Sequence, residues 1–507
     1  MSESPNRWLM PLPAKPNWEH QKKLAKQLLR QLWGNDPDAT ERLILLHPKP
    51  PQAHQAKLSD AQLVIARGYG FTSWAMLKSK IESLSLTPLE QWINAVKAGD
   101  VQQVRKLFDQ HPELDDHAND RCFAFDSTAL FAAKPNWELV DLLIAHGADV
   151  NLKTGWWAGG YGLAENETLE IAQQLFSRGV AEDIWTAVGL DHHEKVRQLL
   201  ADDPTLVTAP GGDGCHPLHY AQSVEMVDLL VGHGADIHAR DVDHTSTPAQ
   251  YQIQNHDVVR RLLEMGAKVD VFMAAALGDL NLINQCAIDE PACVSHRLGI
   301  EPWSNSAGGM IYNWKLGHGL TPMDVAVKLK HDDAHALLLQ LADPKDQLLD
   351  AAWRGDVTRG RQLLADHPRL LDTMTDDDHG ALNRACWWYR PDAVRAMLSL
   401  GFNRHVEDDE KMMPLDRAAF HGHVQCLQWL LDGDPAPPLE HKHQYEGTPL
   451  QTCIHGALHG WQTGHHQDHA ACVEALLNAG AKFEYAWLPT GSDAIDQVLR
   501  KAHRLGC

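Results

Sequence analysis

A glycine that closes an apolar helical stretch recurs along this chain at a near-constant interval. Gly147 to Gly179, Gly234 to Gly266 and Gly401 to Gly433 are each 32 positions apart. Glycine ends a helix cheaply because it takes the left-handed conformation without a Cβ penalty. The interval matters because a chain of 507 residues is too long for one compact core, which stops growing at roughly 250–300 residues. A fixed period removes that limit, since each unit buries its apolar face only against its neighbours.

Three phrases carry the period. The first is a turn before a helix: Thr247-Pro248, Thr321-Pro322, Met413-Pro414 and Thr448-Pro449. Proline suits the first helical turn, where its missing N–H has no partner to lose, and a preceding threonine caps that helix. The second phrase closes the longer helix, as in His146-Gly147-Ala148-Asp149, His233-Gly234-Ala235-Asp236, Met265-Gly266-Ala267 and Ala479-Gly480-Ala481. The third links the two helices: Ala98-Gly99-Asp100, Leu277-Gly278-Asp279 and Arg354-Gly355-Asp356. Apolar residues three and four apart follow each link, as in Val101 to Phe108, and give the second helix one buried face.

Turn, short helix, link, longer helix and glycine stop at a period near 33 resemble the ankyrin repeat family. Pro217-Leu218-His219-Tyr220-Ala221, with Val227 to Ile237, carries the likeness most closely. The resemblance covers roughly residues 86–484 and implies an all-α solenoid of about twelve helix-turn-helix units with helical caps at both ends. The units begin near residues 88, 120, 155, 184, 215, 246, 271, 319, 346, 380, 413 and 448. Two insertions interrupt them, at residues 300–317 and 459–469. Insertions in such arrays map to loops on one face, often the binding face.

Residues 1–85 lie outside the period and read as an N-terminal helical module. Trp18 to Trp33 predicts an amphipathic helix with Leu24, Leu28, Leu29 and Leu32 on one side. The proline-rich run His47 to Pro51 interrupts, Leu58 to Arg67 predicts a second helix, and Trp74 opens a third. Leu12 to Pro16, Leu58 to Gln62 and Tyr69-Gly70-Phe71, with Trp74, resemble the segment preceding ankyrin arrays in a set of bacterial proteins, which implies a bacterial source; physically the module would cap the array by hiding the first repeat's apolar face. Residues 485–507 are expected to cap the other end through Ile495, Val498 and Leu499.

Composition narrows the function classes. A net charge of −22 repels phosphate backbones and disfavours nucleic-acid binding as a bulk property. No apolar run approaches the roughly 18 residues needed to cross a bilayer, and the N-terminus has no signal-peptide pattern, so the expected compartment is the cytoplasm and no membrane partner is expected. Nine scattered cysteines form no CxxC pair and read as buried reduced thiols. There is no P-loop, dinucleotide fingerprint or nucleophile elbow, so no catalytic residues and no cofactor are expected.

Aligning the units places candidate binding residues in columns. The position after the small-residue pair of each first helix reads Trp353, Trp387, Phe420 and His455 in the last four units. Trp388, Tyr389, His421 and His423 adjoin it, and Trp303, Tyr312, Trp314 and Trp461 lie in the insertions. Such a groove would stack on a peptide or a ring-bearing ligand, while packing of the rings on each other is the competing account. A second column, His219, Gln250, Asp324, Asp350, Asn383, Asp416 and Gln451, is expected to hydrogen-bond neighbouring turns. Asp243 and His244 at a hairpin tip, and Trp156 in the aromatic turn of the third unit, complete the candidates; turn bonding is the simpler reading of the Asp-His pair. His455 and His459 have a zinc-pair spacing but lack a full ligand signature, so no metal is expected.

The resemblance implies a protein-interaction scaffold that binds a partner along the first-helix (concave) face and the hairpin tips. The alternative is an enzyme or small-molecule receptor with an aromatic- and histidine-lined pocket in the C-terminal half.

Overall fold

The computed structural model describes residues 7–13, 16–304, 309–460 and 467–505. Among them the chain is all-α, apart from one isolated antiparallel bridge between Phe123 and Ser127. It divides into two compact units, Met1–Met265 and Gly266–Cys507.

The first unit opens with four helices, Trp18–Trp33, Pro37–Leu46, Leu58–Gly68 and Trp74–Ser85. The second of these was not expected from the apolar pattern. Asp36 caps it by accepting a hydrogen bond from the Ala39 N–H at 2.9 Å, and Pro37 sits in its first turn. The four helices bury Leu28, Leu32, Leu43, Val64 and Leu77 in a core of their own. The fully buried Trp92 at the start of the array is covered from within the array, edge-on against Phe108 and Phe123.

Helix pairs of the expected kind follow, such as Pro88–Lys97 with Val101–Gln110 and Ala129–Ala133 with Trp137–Ala145. Thr87 and Glu90 cap the first of them reciprocally. Two units depart from the pattern. The third has no first helix: residues 155–167 run as a loop into Leu169–Phe176. In the fifth, Pro217–Tyr220 is a single 3₁₀ turn.

The second unit stacks hairpins whose short helices include Pro344–Trp353, Ala381–Trp387, Pro414–Phe420 and Pro449–His459. Their partners Val357–Asp366, Pro391–Leu400, Val424–Leu431 and His469–Asn478 complete one continuous core. Ile495 and Leu499 of the last helix are buried in that same core, with Val498 packed against it. Cys386, Cys426, Cys453 and Cys472 are buried there as free thiols.

Apart from Asp350, which takes His335 and Arg354, the polar column bonds turn residues as the alignment expected. Gln250 and Gln451 accept from the Thr247 and Thr448 N–H groups at 2.9 Å. Asn383 donates to the Val406 carbonyl at 3.2 Å, and Asp416 accepts from the Met413 N–H at 2.9 Å. These bonds tie each first helix to its own or the next turn.

Candidate functional site

The aromatic column of the second unit forms a real surface. The Trp387 and Phe420 rings are parallel, 3° apart in plane with centroids separated by 6.1 Å. His455 continues the row 6.2 Å beyond Phe420, and His459 lies 4.6 Å from His455 on the next turn of the same helix. The regular register of the stacked first helices brings these rings together from three different hairpins.

Trp387, Phe420 and His455 floor a cleft of about 610 Å³, walled by Glu410, Arg417 and Tyr445. Arg417 lies over Trp387, 4.7 Å from its centroid. It also donates to Asp408 at 2.7 Å and to Glu410 at 2.9 Å, so its charge is matched by two carboxylates. Burial works to raise the Glu410 carboxyl, but the Tyr445 hydroxyl, donating at 2.8 Å, and Arg417 outweigh it and hold the group below its ordinary range. The exposed Glu446 stands on the same wall, which leaves the cleft aromatic beneath and acidic at its side.

Trp353 opens instead onto a second cleft of about 500 Å³, with Trp388 on its rim, 56% exposed. Arg390 covers Trp353 at 5.2 Å. Tyr389 turns inward at a left-handed φ of 48° and packs 4.7 Å from His423.

Other candidates fall elsewhere, and three are corrected. His421 is 1% exposed, edge-on beneath Trp387 at 4.4 Å and stacked on His423. Burial, with His423 and Arg417 adding to it, pushes its imidazole down to about 4, so it is a neutral core ring and not a contact surface. His423 donates to the Cys386 carbonyl at 2.8 Å. Tyr312 is wholly buried and donates to Asp270 at 2.9 Å. Trp303, stacked 6.1 Å from Tyr312 and edge-on to Phe272, donates to His296 at 2.8 Å. Trp303 and Tyr312 of the first insertion thus fold down as packing and do not close over a groove, because each ring buries more apolar area inward. Trp314 alone points out, 72% exposed. Trp461 lies outside the described residues.

In the first unit Trp156, Asp243 and His244 meet. The Trp156 indole packs edge-on to Phe125 at 5.1 Å and faces Asp243. Burial first, then the neighbouring Asp213 and Asp241, raises the Asp243 carboxyl, opposed by His244. The hairpin tip itself is organised by Asp241, which accepts from the His244 and Ser246 N–H groups at 2.6 Å and the Tyr251 hydroxyl at 3.0 Å. Asp213, Asp243 and His244 each bring a potential ligand atom to within 4.8 Å of the others, and are the group among the described residues placed to share a cation.

Sequence reasoning missed the partner of that tip. Residues 155–162 pack on residues 209–215, and a Cβ on Gly212 would stand 2.3 Å from the Tyr161 ring. Glu165 is buried between the loops, accepting from the Gly162 and Gly212 N–H groups at 3.0 and 3.1 Å and from the Tyr220 hydroxyl at 2.9 Å. Burial raises its carboxyl. The one sequence signal is the Gly211-Gly212 pair, which makes room for two rings, Trp185 against Gly211 and Tyr161 against Gly212.

Stacked antiparallel helix pairs that present a row of first-helix side chains define, as a class, a helical-repeat binding scaffold. The family model for the ankyrin repeat matches residues 213–242, and that for ankyrin repeats in many copies matches residues 371–431. These stretches of the chain are matched as ankyrin repeats, and ankyrin repeats are generally protein-interaction modules. No curated protein matches it. Among the described residues no helix is long and apolar enough to cross a membrane.

Proposed function

We propose that this chain is a protein-interaction scaffold whose second unit takes a segment of a partner protein in the Trp387–Phe420–His455 cleft. The array over residues 86–484 serves as the platform, with residues 1–85 and 485–507 as flanking helical modules. The observation that carries the reading is the cleft itself: three rings from three hairpins in a row, none of them needed to fill the core. Aromatic anchors in a partly enclosed hollow are the usual source of binding energy at such surfaces. With Glu410 and Glu446 on the wall and a net charge of −22, the favoured segment is basic, pairing an aromatic or apolar side chain with Lys or Arg. Buried free thiols across the second unit support a reducing compartment, the cytoplasm.

Selection of a random peptide display library on the full chain tests this. The expected binders carry a cationic residue beside an aromatic one, and lose about tenfold or more affinity on Trp387→Ala or His455→Ala. Binders that hold both variants as tightly as the wild type would overturn the placement of the site.

A further inference from the structure

The cleft beneath Trp353 differs in charge from everything around it. It is lined by five cationic side chains, Arg297, Lys328, Arg354, Arg384 and Arg390, against three carboxylates. This occurs in a chain with 67 acidic and 45 basic residues, where every cation has carboxylates to choose from.

The three carboxylates are already committed. Asp324 accepts from the Thr321 N–H and hydroxyl at 3.1 and 2.9 Å. Asp346 takes the Ser295 hydroxyl. Asp350 takes Arg354 at 2.7 Å and His335 at 3.2 Å. Arg354 pairs with Asp350, and Arg384 lies near Asp377, but the other three cations are not matched in return. Arg297 donates to the Gly319 carbonyl at 2.9 Å and Lys328 to the Leu316 carbonyl, while Arg390 rests on the Trp353 ring. Among the described residues none of these three makes an ion pair. Arg354 Nη2 is buried without a hydrogen bond, 3.6 Å from the Asp324 carboxylate. Arg384 reaches Asp377 only at 3.6 Å, and it and Arg297 are close enough to repel; burial and that repulsion push the Arg384 guanidinium down to about 10.

Like charges held around a hollow of about 500 Å³ are unfavourable unless something negative fills it. Planar guanidinium forks match phosphate oxygens in pairs, and the exposed Trp388 ring at the rim offers a stacking face. We infer that this cleft is a binding site for a small anionic molecule carrying a phosphate-type dianion next to a planar ring. The dianion is held by Arg297, Arg354 and Arg384, Arg390 closes from the rim, and the ring lies against Trp388. The site is separate from the peptide cleft and does not depend on it.

Calorimetric titration of the full chain with phenyl phosphate, inorganic phosphate and benzyl alcohol tests the inference. Saturable binding of phenyl phosphate is expected, weaker binding of phosphate, and none of benzyl alcohol. The Arg297→Gln, Arg390→Gln double variant should lose about tenfold or more of the phenyl phosphate affinity, and Trp388→Ala should remove the advantage over phosphate. Both sets of substitutions lie on the cleft wall, and an unchanged circular dichroism melt confirms that the fold survives. In the wild type, raising the salt concentration should weaken binding, a readout that needs no variant. No saturable heat from either phosphate up to about 10 mM, or a double variant that binds as well as the wild type, overturns the site. Phosphate bound as tightly as phenyl phosphate overturns the ring contact.

Discussion

Gly456 is the residue on which the geometry of the aromatic row most depends. It lies buried inside the helix Pro449–His459. A Cβ built there would stand 1.9 Å from the Phe420 carbonyl oxygen and 2.7 Å from its carbon. Carbon–oxygen contacts settle no closer than about 3.3 Å, so Gly456→Ala forces the two helices apart by roughly 1.4 Å at this point. The obstacle is backbone, which cannot rotate away. Alanine gains about 1 kcal/mol of helix propensity over glycine, while overpacking that shifts backbone costs about 3 kcal/mol at the upper end of its usual range. A net loss of about 2 kcal/mol follows, or roughly 30-fold in the local opening equilibrium. Hydrogen exchange read by mass spectrometry should show that loss in Pro414–Phe420 and Pro449–His459, because Leu415, Ala419, Leu450 and Cys453 all pack between them. Gly189→Ala is the control: a Cβ there meets nothing within 4 Å, so alanine should stabilise by about 0.5–1 kcal/mol. Protection in the Gly456→Ala variant equal to or above wild type would refute the reasoning.

Three other perturbations have definite signs. His219 and His421 are buried, and burial pushes both imidazoles down to about 4 from an ordinary 6.5; the unfolded chain binds the extra protons, so stability is full above pH 6.5 and falls towards pH 4. Asp416, pushed up to about 6 by burial, titrates in the opposite sense, as do the raised carboxyls of Glu165, Asp243 and Asp346, but burial also lowers His216, His379, His405 and His443, which makes six imidazoles against four carboxyls; urea midpoints measured across that range should fall with pH, and His421→Phe should reduce the slope. Asp241→Ala leaves the buried N–H groups of His244 and Ser246 without their acceptor, a loss of about 2–4 kcal/mol, checked by calorimetric melting. Leu43→Ala opens a cavity in the separate N-terminal core and should cost about 2–5 kcal/mol, with hydrogen-exchange loss confined to residues 17–81 and Trp92 fluorescence unchanged.

The repeat was legible because its signals are local and reiterated: a Thr-Pro entry, a glycine stop, and one apolar face per helix. The polar column was legible for the same reason, since Gln250 and Gln451 do one job at one register position. The exceptions arose where a unit traded its helix for a loop. Nothing in the run Gly155 to Gly162 declares that Tyr161 will lie on Gly212, because the partner is fifty residues away and the contact has no period. Pro37–Leu46 is a short helix whose only sequence marker is the Asp36-Pro37 start, and the proline run that follows truncates its apolar period. The column alignment located a side chain on a helix but not its depth. His421 follows Phe420 by one position, about 100° around the helix, which is the difference between floor and core.

Charge placement was the least legible property, and it distinguishes the two clefts of the second unit. Arg417 lies over Trp387 and is neutralised by Asp408 and Glu410, whereas Arg390 lies over Trp353 and makes no ion pair among the described residues. The difference comes from loop residues: Asp408 and Glu410 lie on a hairpin tip that folds back over Trp387, whereas the corresponding wall around Trp353 is built by Arg297 and the 317–320 turn. Leu298 and Leu320 hold that turn in place, their backbones bonded at 2.9 Å. The turn that follows the first insertion therefore borders the cleft, its Gly319 carbonyl holding the guanidinium of Arg297 on the edge. One array thus presents an acidic aromatic hollow and a cationic one from the same repeated scaffold, and the two should respond oppositely to ligand charge.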